Sequence, residues 1–429
     1  MLLHEGSGSV VRRTQLPNGL RIITEAIPAT RSVSFGVWVG AGSRDEDQPQ
    51  HGAAHYLEHL LFKATPRRSA FEVNSALDGV GGEMNAFTSR ETTCFYAHVL
   101  DEDLPIAVDV VLEVVTAGLM RDQDVTAERP VVLEEIAMHD DDPGDVAMEH
   151  FYQQVLGDQA LARPILGTRA SIEGLPGERI RQFYRDHYRP DGVVIAAAGS
   201  VDHDQVVALV LDCLDGGWLT GSGPPRPIRQ GRPPGDRLLS SVVVPRPTEQ
   251  MHVVIGGPSL PRNDPDKYAL AVFNAVLGGG MASRLFTRVR EERGLAYSVH
   301  SFMAPFADTG LFGIYAGTRP ASLDEAVGVI RAELEDVAGN GLTAAEVARG
   351  KGAVRGARIL SLEDPFARMS RLGHAELVVG ELPPIDEIQR RIEAVTEDDV
   401  ARVARRILGK GSAITVVGPA AEDWTPRTG

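Results

Sequence analysis

Residues 32–40 read SVSFGVWVG, and the alternation in this β-branched run predicts a strand. Two helical patterns follow it, over residues 52–63 and 70–78. A pair of glycines then leads into a long strand pattern over residues 83–99, and an apolar helix is predicted over residues 104–119. This order of strands and helices is typical of an α+β unit.

The second half of the chain repeats this order. It opens with the strand pattern QMHVVIG at residues 250–256. The elements predicted after it are helices over residues 266–277, 283–293 and 323–338 and strands over residues 296–302 and 310–316. Each half closes with a helix that leads into a strand, over residues 192–198 and 412–417. We therefore predict two similar domains, each an antiparallel-rich mixed sheet with helices packed on one face.

A connector separates the two halves. Residues 216–237 (GGWLTGSGPPRPIRQGRPPGDR) contain five prolines and six glycines, which oppose both helix and strand. The predicted organisation is an N-terminal domain over residues 1–215, a linker over 216–237 and a C-terminal domain over 238–429. A length of 429 residues agrees with two or three domains.

The composition argues against several classes of function. The chain carries 59 acidic and 43 basic residues, a formal net charge of −16, which is a poor match to a nucleic-acid backbone. Cys94 and Cys213 make no disulfide framework and have no metal-binding spacing, so both are expected in the core. Residues 1–14 lack a secretion signal, and no segment is long enough to span a membrane. We expect a soluble cytoplasmic protein.

The strongest chemical signal is His55-Tyr56-Leu57-Glu58-His59. On a helix these offsets place His55, Glu58 and His59 on one face. Two imidazoles one turn apart can hold one Zn²⁺, and the carboxylate beside them can take a proton from water. Manganese or cobalt could occupy the same ligands. The alternative is a helix with surface histidines and a solvated glutamate.

A catalytic zinc needs a third protein ligand. Residues 128–138 (ERPVVLEEIAM) offer one, because their apolar residues predict a buried helix that carries acidic groups. Glu134 and Glu135 are both candidates, since a buried acid needs a partner or a metal. Periodicity does not choose between them, and one solvated acid beside one salt-bridged acid is the alternative.

These motifs resemble those of the pitrilysin-type (M16) zinc metallopeptidases with the inverted HxxEH motif, in particular the short branch that includes the mitochondrial processing peptidase. The resemblance runs from Leu16-Pro17-Asn18-Gly19-Leu20 to the last predicted strand. It implies that the third ligand is Glu135 and that Glu128, two helical turns earlier, supports the site. Pro130 is expected to kink or restart the helix between them.

Two further segments match the family. Asn85-Ala86-Phe87-Thr88 resembles its substrate-binding edge strand, which pairs with an extended peptide through main-chain hydrogen bonds. Arg290 and Tyr297 match an arginine and a tyrosine that contact the peptide and the developing oxyanion. From the residues alone, the first segment could be an ordinary strand whose Asn85 caps a turn. Arg290 could likewise be a salt-bridged helix residue, a role that Arg288 or Arg293 would fill equally well.

Two other patterns are weaker. His51 continues the four-residue spacing of His55 and His59 and is an alternative ligand, although the following Gly52 favours a position at the helix start. Gly278-Gly279-Gly280 matches a glycine-rich loop of the family. Because no lysine follows at the spacing of a phosphate-binding loop, nucleotide binding is rejected.

The resemblance implies a zinc-dependent endopeptidase, with one Zn²⁺ per chain, that hydrolyses short or unfolded polypeptides after Glu58 has activated water. It also implies a clamshell-like homodimer in which the partner chain supplies Arg290 and Tyr297 to each site. A non-catalytic subunit of a larger complex is the main alternative, and a scaffold that only binds peptides is another. Both are disfavoured because the ligands and Glu58 are all present.

Overall fold

The computed structural model describes residues 2–6, 8–214, 216–230, 239–419 and 424. They form two compact units. The first consists of Met1–Ile136, Arg163–Ile228 and Leu360–Glu387, and the second of Ala137–Ala162, Arg229–Ile359 and Ile388–Gly429. Each unit combines a sheet with helices, so the predicted α+β class is confirmed.

Within the described residues, the first unit has a seven-stranded sheet. Its strands are β1 (Leu2–His4), β2 (Val10–Gln15), β3 (Arg21–Ala26), β4 (Ser32–Val39), β5 (Glu83–Thr88), β6 (Thr93–Leu100) and β7 (Val193–Gly199). Their spatial order is β1-β2-β3-β7-β4-β6-β5. Strands β3 and β7 are parallel, and all other neighbours are antiparallel. Strand β5 therefore lies at one edge of the sheet.

The single strand predicted over residues 83–99 is wrong, because two strands and a turn occupy this segment. Strands β5 and β6 pair in antiparallel register from Glu83 opposite His98 to Thr88 opposite Thr93. Ser89 closes the turn between them by donating its backbone N–H to Thr92 O at 2.8 Å. The polar run at residues 88–93 thus marks a reversal of the chain.

In the part of the chain that the structure describes, the second unit has a five-stranded sheet. Its strands are β8 (Ser241–Pro245), β9 (Met251–Ser259), β10 (Ala296–Pro305), β11 (Gly310–Thr318) and β12 (Ala413–Gly418). The spatial order is β10-β11-β9-β12-β8, with β8 and β12 parallel and the other neighbours antiparallel. Strands β8 to β12 therefore correspond one by one to β3 to β7, and the predicted duplication is present in the topology.

Most of the predicted helices are present. The α-helices are α1 (Ala53–Leu61), α2 (Ala70–Asp78), α3 (Leu104–Ala117), α4 (Asp122–Asp141), α5 (Pro143–Leu156), α6 (Arg169–Gly174), α7 (Gly177–His187), α8 (His203–Cys213), α9 (Gly216–Leu219), α10 (Lys267–Gly278), α11 (Leu323–Asn340), α12 (Ala344–Ser361), α13 (Pro365–His374), α14 (Ile385–Glu393) and α15 (Glu397–Leu408). The helix predicted over residues 283–293 differs, because Phe286–Glu291 are π-helical.

Both faces of each sheet are covered, so the expectation of helices on one face is wrong. Strand β7 is buried along its whole length and needs apolar partners on both sides. One face packs in the core with helices such as α3, and the other packs on Met369 and Leu372 of α13. In the second unit, Phe151 and Val155 of α5 pack against β9 and β12. Helix α5, which precedes the predicted linker in sequence, thus covers the second sheet, and α13, which follows the linker, covers the first.

The predicted linker, residues 216–237, is described only in part, because residues 231–237 lie outside the described residues. Gly216–Leu219 form the short helix α9, contrary to expectation, and residues 220–230 have no helix or strand. Trp218 of α9 is buried, and its carbonyl accepts a hydrogen bond from Asn18 Nδ2 at 2.7 Å. Burial of this tryptophan accounts for the local order.

Among the described residues, none of the helices has both the length and the apolar character that a membrane crossing requires.

Candidate metal centre

Helix α1 carries the histidine motif and is fixed at its start by a buried carboxylate. Gly52, at φ +92°, allows the sharp turn into the helix and offers no side chain to cap it. Glu46 caps it instead, because its two oxygens accept the backbone N–H groups of Gly52 at 2.9 Å and Ala54 at 2.8 Å. Burial raises the pKa of Glu46 to about 8, although the two N–H donors oppose this rise. Leu57, on the side of α1 opposite to His55 and His59, packs into the core.

Three side chains converge on one point within the first unit. Glu135 Oε2 lies 3.5 Å from His55 Nε2 and 3.4 Å from His59 Nε2. The three ligand atoms lie within 4.8 Å of one another. A tetrahedral zinc with bonds of about 2.0–2.1 Å separates its ligand atoms by about 3.3–3.4 Å. The two imidazoles and the carboxylate therefore fit a zinc ion in both chemistry and spacing.

The structure distinguishes between the candidates for the third ligand. Glu135 points to the histidines, whereas Glu134 is exposed and belongs to no cluster of metal-ligand type among the described residues. His51 does not join the cluster either. Its Nε2 lies 3.3 Å from the carbonyl oxygen of Pro164, and the residue is buried before the start of α1.

The protonation of the site suits metal binding and proton transfer. Burial lowers the pKa of His55 to about 3, with a smaller contribution from His59, so the His55 imidazole is neutral at neutral pH. Burial also raises the pKa of Glu58, as does Glu135, while hydrogen bonding from Thr88 and the charge of His59 lower it. A half-buried carboxylate of raised pKa is typical of a general base.

Glu128 lies on the same helix as Glu135 and contacts His59 and Lys63. Its Oε1 lies 2.9 Å from His59 Nδ1, and its Oε2 lies 2.5 Å from Lys63 Nζ. Of the two effects expected of Pro130, the restart is wrong, since α4 runs without a break from Asp122 to Asp141, and the kink stays a prediction. Burial of Val132 and Ile136 in the core holds this helix despite the missing N–H of Pro130.

The edge strand lies beside the motif. Asn85-Ala86-Phe87-Thr88 form the end of β5, and Thr88 Oγ1 donates a hydrogen bond to Glu58 Oε2 at 2.5 Å. Asn85 Oδ1 accepts the N–H of Ala86 at 2.8 Å, and among the described residues the Asn85 side chain makes no hydrogen bond that caps a turn. Phe87 packs edge-on against Trp38, with ring centroids 5.6 Å apart. The hydroxyl of Thr88 therefore faces the carboxylate of Glu58, and the assignment of this strand to substrate stays a prediction.

Arg290 and Tyr297 contact each other within the second unit. The Arg290 guanidinium lies 4.8 Å from the Tyr297 ring centroid and 4.7 Å from that of Phe286. Tyr297 is 78% exposed and lies at a bulge in the edge strand β10. Among the described residues, Arg288 and Arg293 pair with Glu292, whereas Arg290 pairs with no carboxylate. The salt-bridge alternative for Arg290 is therefore wrong.

Two residues of the site carry no motif that identifies them in the sequence. Glu46 lies upstream of α1, whose N-cap residue is a glycine without a capping side chain. An acidic residue shortly before such a helix start could have been predicted to cap it. Lys63 lies four residues after His59 and so on the same helical face. Neither signal shows which group the residue contacts. That Glu46 binds the N–H groups of Gly52 and Ala54, and that Lys63 binds Glu128, is seen only in the folded structure.

Two family models match the chain. The model described as Insulinase (Peptidase family M16) matches residues 21–169. The model described as Peptidase M16 inactive domain matches residues 175–354. An uncharacterized zinc protease of Streptomyces coelicolor is 49% identical to this chain, over 97% of this chain and 91% of the relative.

Solved structures share the fold. A peptidase M16 inactive domain from Pseudomonas fluorescens matches with a TM-score of 0.87 at 20% identity, over 96% of this chain and 98% of that structure. A protease from Helicobacter pylori matches with a TM-score of 0.87 at 23% identity, over 95% of this chain and 99% of that structure. At such low identity these likenesses concern the fold alone.

Proposed function

Because the chain belongs to the M16 peptidase family, we propose that it is a zinc-dependent endopeptidase that cleaves short or unfolded polypeptides and holds one zinc per chain. The observation that carries this proposal is the convergence of His55, His59 and Glu135 on one point, with Glu58 on the same helix. The name of the Streptomyces relative, a zinc protease, supports it.

The ligands His55, His59 and Glu135 would hold the metal. When bound, zinc supplies Lewis-acid chemistry that makes water a better nucleophile at neutral pH. Glu58 takes the proton of the attacking water and returns it to the leaving amine. Its raised pKa suits both steps, because the carboxylate must accept a proton and then release it.

Strand β5 would receive the substrate. Its outer edge is free of other strands among the described residues, so an extended peptide can add beside Asn85, Ala86 and Phe87 through main-chain hydrogen bonds. Such pairing requires an extended backbone and depends little on side chains. Short or unfolded polypeptides meet this requirement, whereas a folded domain does not.

Arg290 and Tyr297 would bind the carbonyl side of the substrate and stabilise the developing oxyanion. The Arg290 guanidinium, which pairs with no carboxylate in the described part of the chain, and the exposed phenol of Tyr297 support this role, because both groups keep donors available. We propose that two chains form a homodimer in which Arg290 and Tyr297 of each chain complete the site of the other.

Metal removal tests the proposal. Dialysis against a chelator should abolish cleavage of a mixed library of unstructured peptides, and zinc should restore cleavage at about one equivalent per chain. His55→Ala should not bind zinc at about one equivalent per chain. His139→Ala should bind zinc as the wild type does, because His139 lies on the same helix as Glu135 but is not a ligand. A chain that binds zinc and cleaves no peptide would instead favour a non-catalytic subunit.

A further inference from the structure

The general base has one hydrogen-bond partner among the described residues. Thr88 Oγ1 donates to Oε2 of Glu58 at 2.5 Å, and no other described group bonds this carboxylate. A hydroxyl has one proton to donate, so the bond involves one oxygen only. Oε1 of Glu58 is therefore left to accept a proton.

Thr88 lies on the face of the sheet that packs against α1, the helix that carries Glu58. Side chains alternate along β5, so Thr88 shares a face with Met84 and Ala86, which pack against the core that contains α1. Opposite Thr88, Thr93 is anchored by its hydroxyl bond of 3.0 Å to Ala41 O. Because the side chains of β5 alternate between the two faces of the sheet, the hydroxyl of Thr88 points towards Glu58.

The turn after Thr88 fixes its position further. Ser89 Oγ donates to Thr92 O at 2.8 Å and accepts the N–H of Thr92 at 3.0 Å. Glu91 in the same turn pairs with Arg44 at 2.5 Å, and both side chains are largely buried. The end of β5 is thus a rigid support for a hydroxyl donor.

We propose that Thr88 is a positioning residue that holds Oε2 of Glu58 and thereby directs Oε1 to the attacking water. This inference rests on the proposed function. Thr88 directly follows the residues of β5 that would pair with substrate, so a peptide bound at this edge lies beside the residue that orients the base. Thr88 acts through Glu58 and need not touch the substrate side chains.

Two substitutions separate this role from packing. Thr88→Val keeps the shape and the β-branch but removes the donor, and Thr88→Ser keeps the donor. Thr88→Val should lower kcat about 10- to 100-fold while KM and zinc content stay within about twofold, because proton transfer depends on the position of the base. Thr88→Ser should recover most of kcat. In a Glu58→Gln background, Thr88→Val should have no further effect on the residual rate.

A second readout does not depend on activity. In the metal-free chain, the Tm losses of Thr88→Val and Glu58→Ala should not add, because both remove the same hydrogen bond. Additive losses, an unchanged kcat in Thr88→Val, a rise in KM alone, or a Thr88→Ser chain as slow as Thr88→Val would overturn the inference. The three kinetic outcomes require an active wild type, whereas the comparison of Tm losses does not. A wild type that cleaves nothing overturns the proposed function and this inference together.

Discussion

His55 and His59 differ in what their second ring nitrogen contacts. His59 Nδ1 lies 2.9 Å from Glu128, which Lys63 holds in turn, whereas His55 Nδ1 is buried and has no hydrogen-bond partner among the described residues. A ligand histidine is held in one tautomer and one orientation by such a contact. The orientation of His59 therefore depends on Glu128, and that of His55 depends on packing in α1.

Loss of the Glu128 carboxylate should weaken zinc binding. We expect Glu128→Gln to lower the zinc affinity about 10- to 100-fold, the usual effect of removing a carboxylate behind a ligand histidine. Glu134→Gln, an exposed change of the same kind on the same helix, should leave the affinity unchanged. Competition with a chromophoric chelator measures both, and equal affinities for the two variants would refute the role of Glu128.

At this scale the sequence predicts which residues form the centre and leaves their contacts open. The spacing of His55, Glu58 and His59 is local, so the helix brings them together wherever it lies. The bond from Thr88 to Glu58 depends on the turn after β5, which one long strand pattern conceals. Likewise, two contacts that the sequence does not reveal distinguish Arg290 from Arg288 and Arg293. Arg290 lies against the rings of Phe286 and Tyr297, whereas the other two arginines pair with Glu292.

Among the elements, α5 and α13 occupy equivalent places in the two repeats. Each follows a long helix and begins with an aspartate that caps it and a proline. Asp142 accepts the N–H of Gly144 at 2.7 Å, and Asp364 accepts that of Phe366 at 2.9 Å. The Asp-Pro pairs predict where these helices start. They do not predict which sheet each covers, because that choice depends on contacts distant in sequence.

The packing of α13 on the first sheet can be tested at a glycine. A Cβ added at Gly373 would lie 2.6 Å from ring atoms of Trp38 on β4. We expect Gly373→Ala to lower the free energy of unfolding by about 1–3 kcal/mol through overpacking. Gly174→Ala, at an exposed helical position in the same unit with nothing within 4 Å, should be neutral or stabilising by up to about 1 kcal/mol.

Urea unfolding at a fixed zinc concentration compares the two glycine variants. Gly373→Ala should have a lower midpoint than wild type with an unchanged slope. A Gly373→Ala chain as stable as the Gly174→Ala chain would contradict the close packing of α13 on β4.

In the whole molecule, the two units share the topology of five strands, β3 to β7 in the first and β8 to β12 in the second, and differ in chemistry. Among the described residues, the one cluster suited to a metal lies in the first unit, and the stack of Phe286, Arg290 and Tyr297 lies in the second. The order of elements in the sequence predicts the duplication, because each strand and helix has a local pattern. The sequence does not predict which segments make up each compact unit. Helix α5 precedes the linker but belongs to the second unit, and α13 follows the linker but belongs to the first.

Mixed dimers test the proposal that each site is completed by the other chain. Arg290→Ala and Glu58→Gln should each have little activity alone. Random exchange makes about half of the dimers mixed, and each mixed dimer has one intact site, so about a quarter of the wild-type rate should return. Peptide cleavage after unfolding and refolding the two variants together measures this. No recovery would show that each site is built within one chain.

The proposed mechanism requires that His55, His59 and Glu135 hold a zinc at which Glu58 acts as the base. Zinc content and peptide cleavage, measured together on wild type and Glu58→Gln, test it most directly. We expect about one zinc per chain in both and a loss of at least about 100-fold in cleavage for Glu58→Gln, since a general base contributes about 10²- to 10⁴-fold. A Glu58→Gln chain that retains zinc and cleaves at the wild-type rate would contradict it.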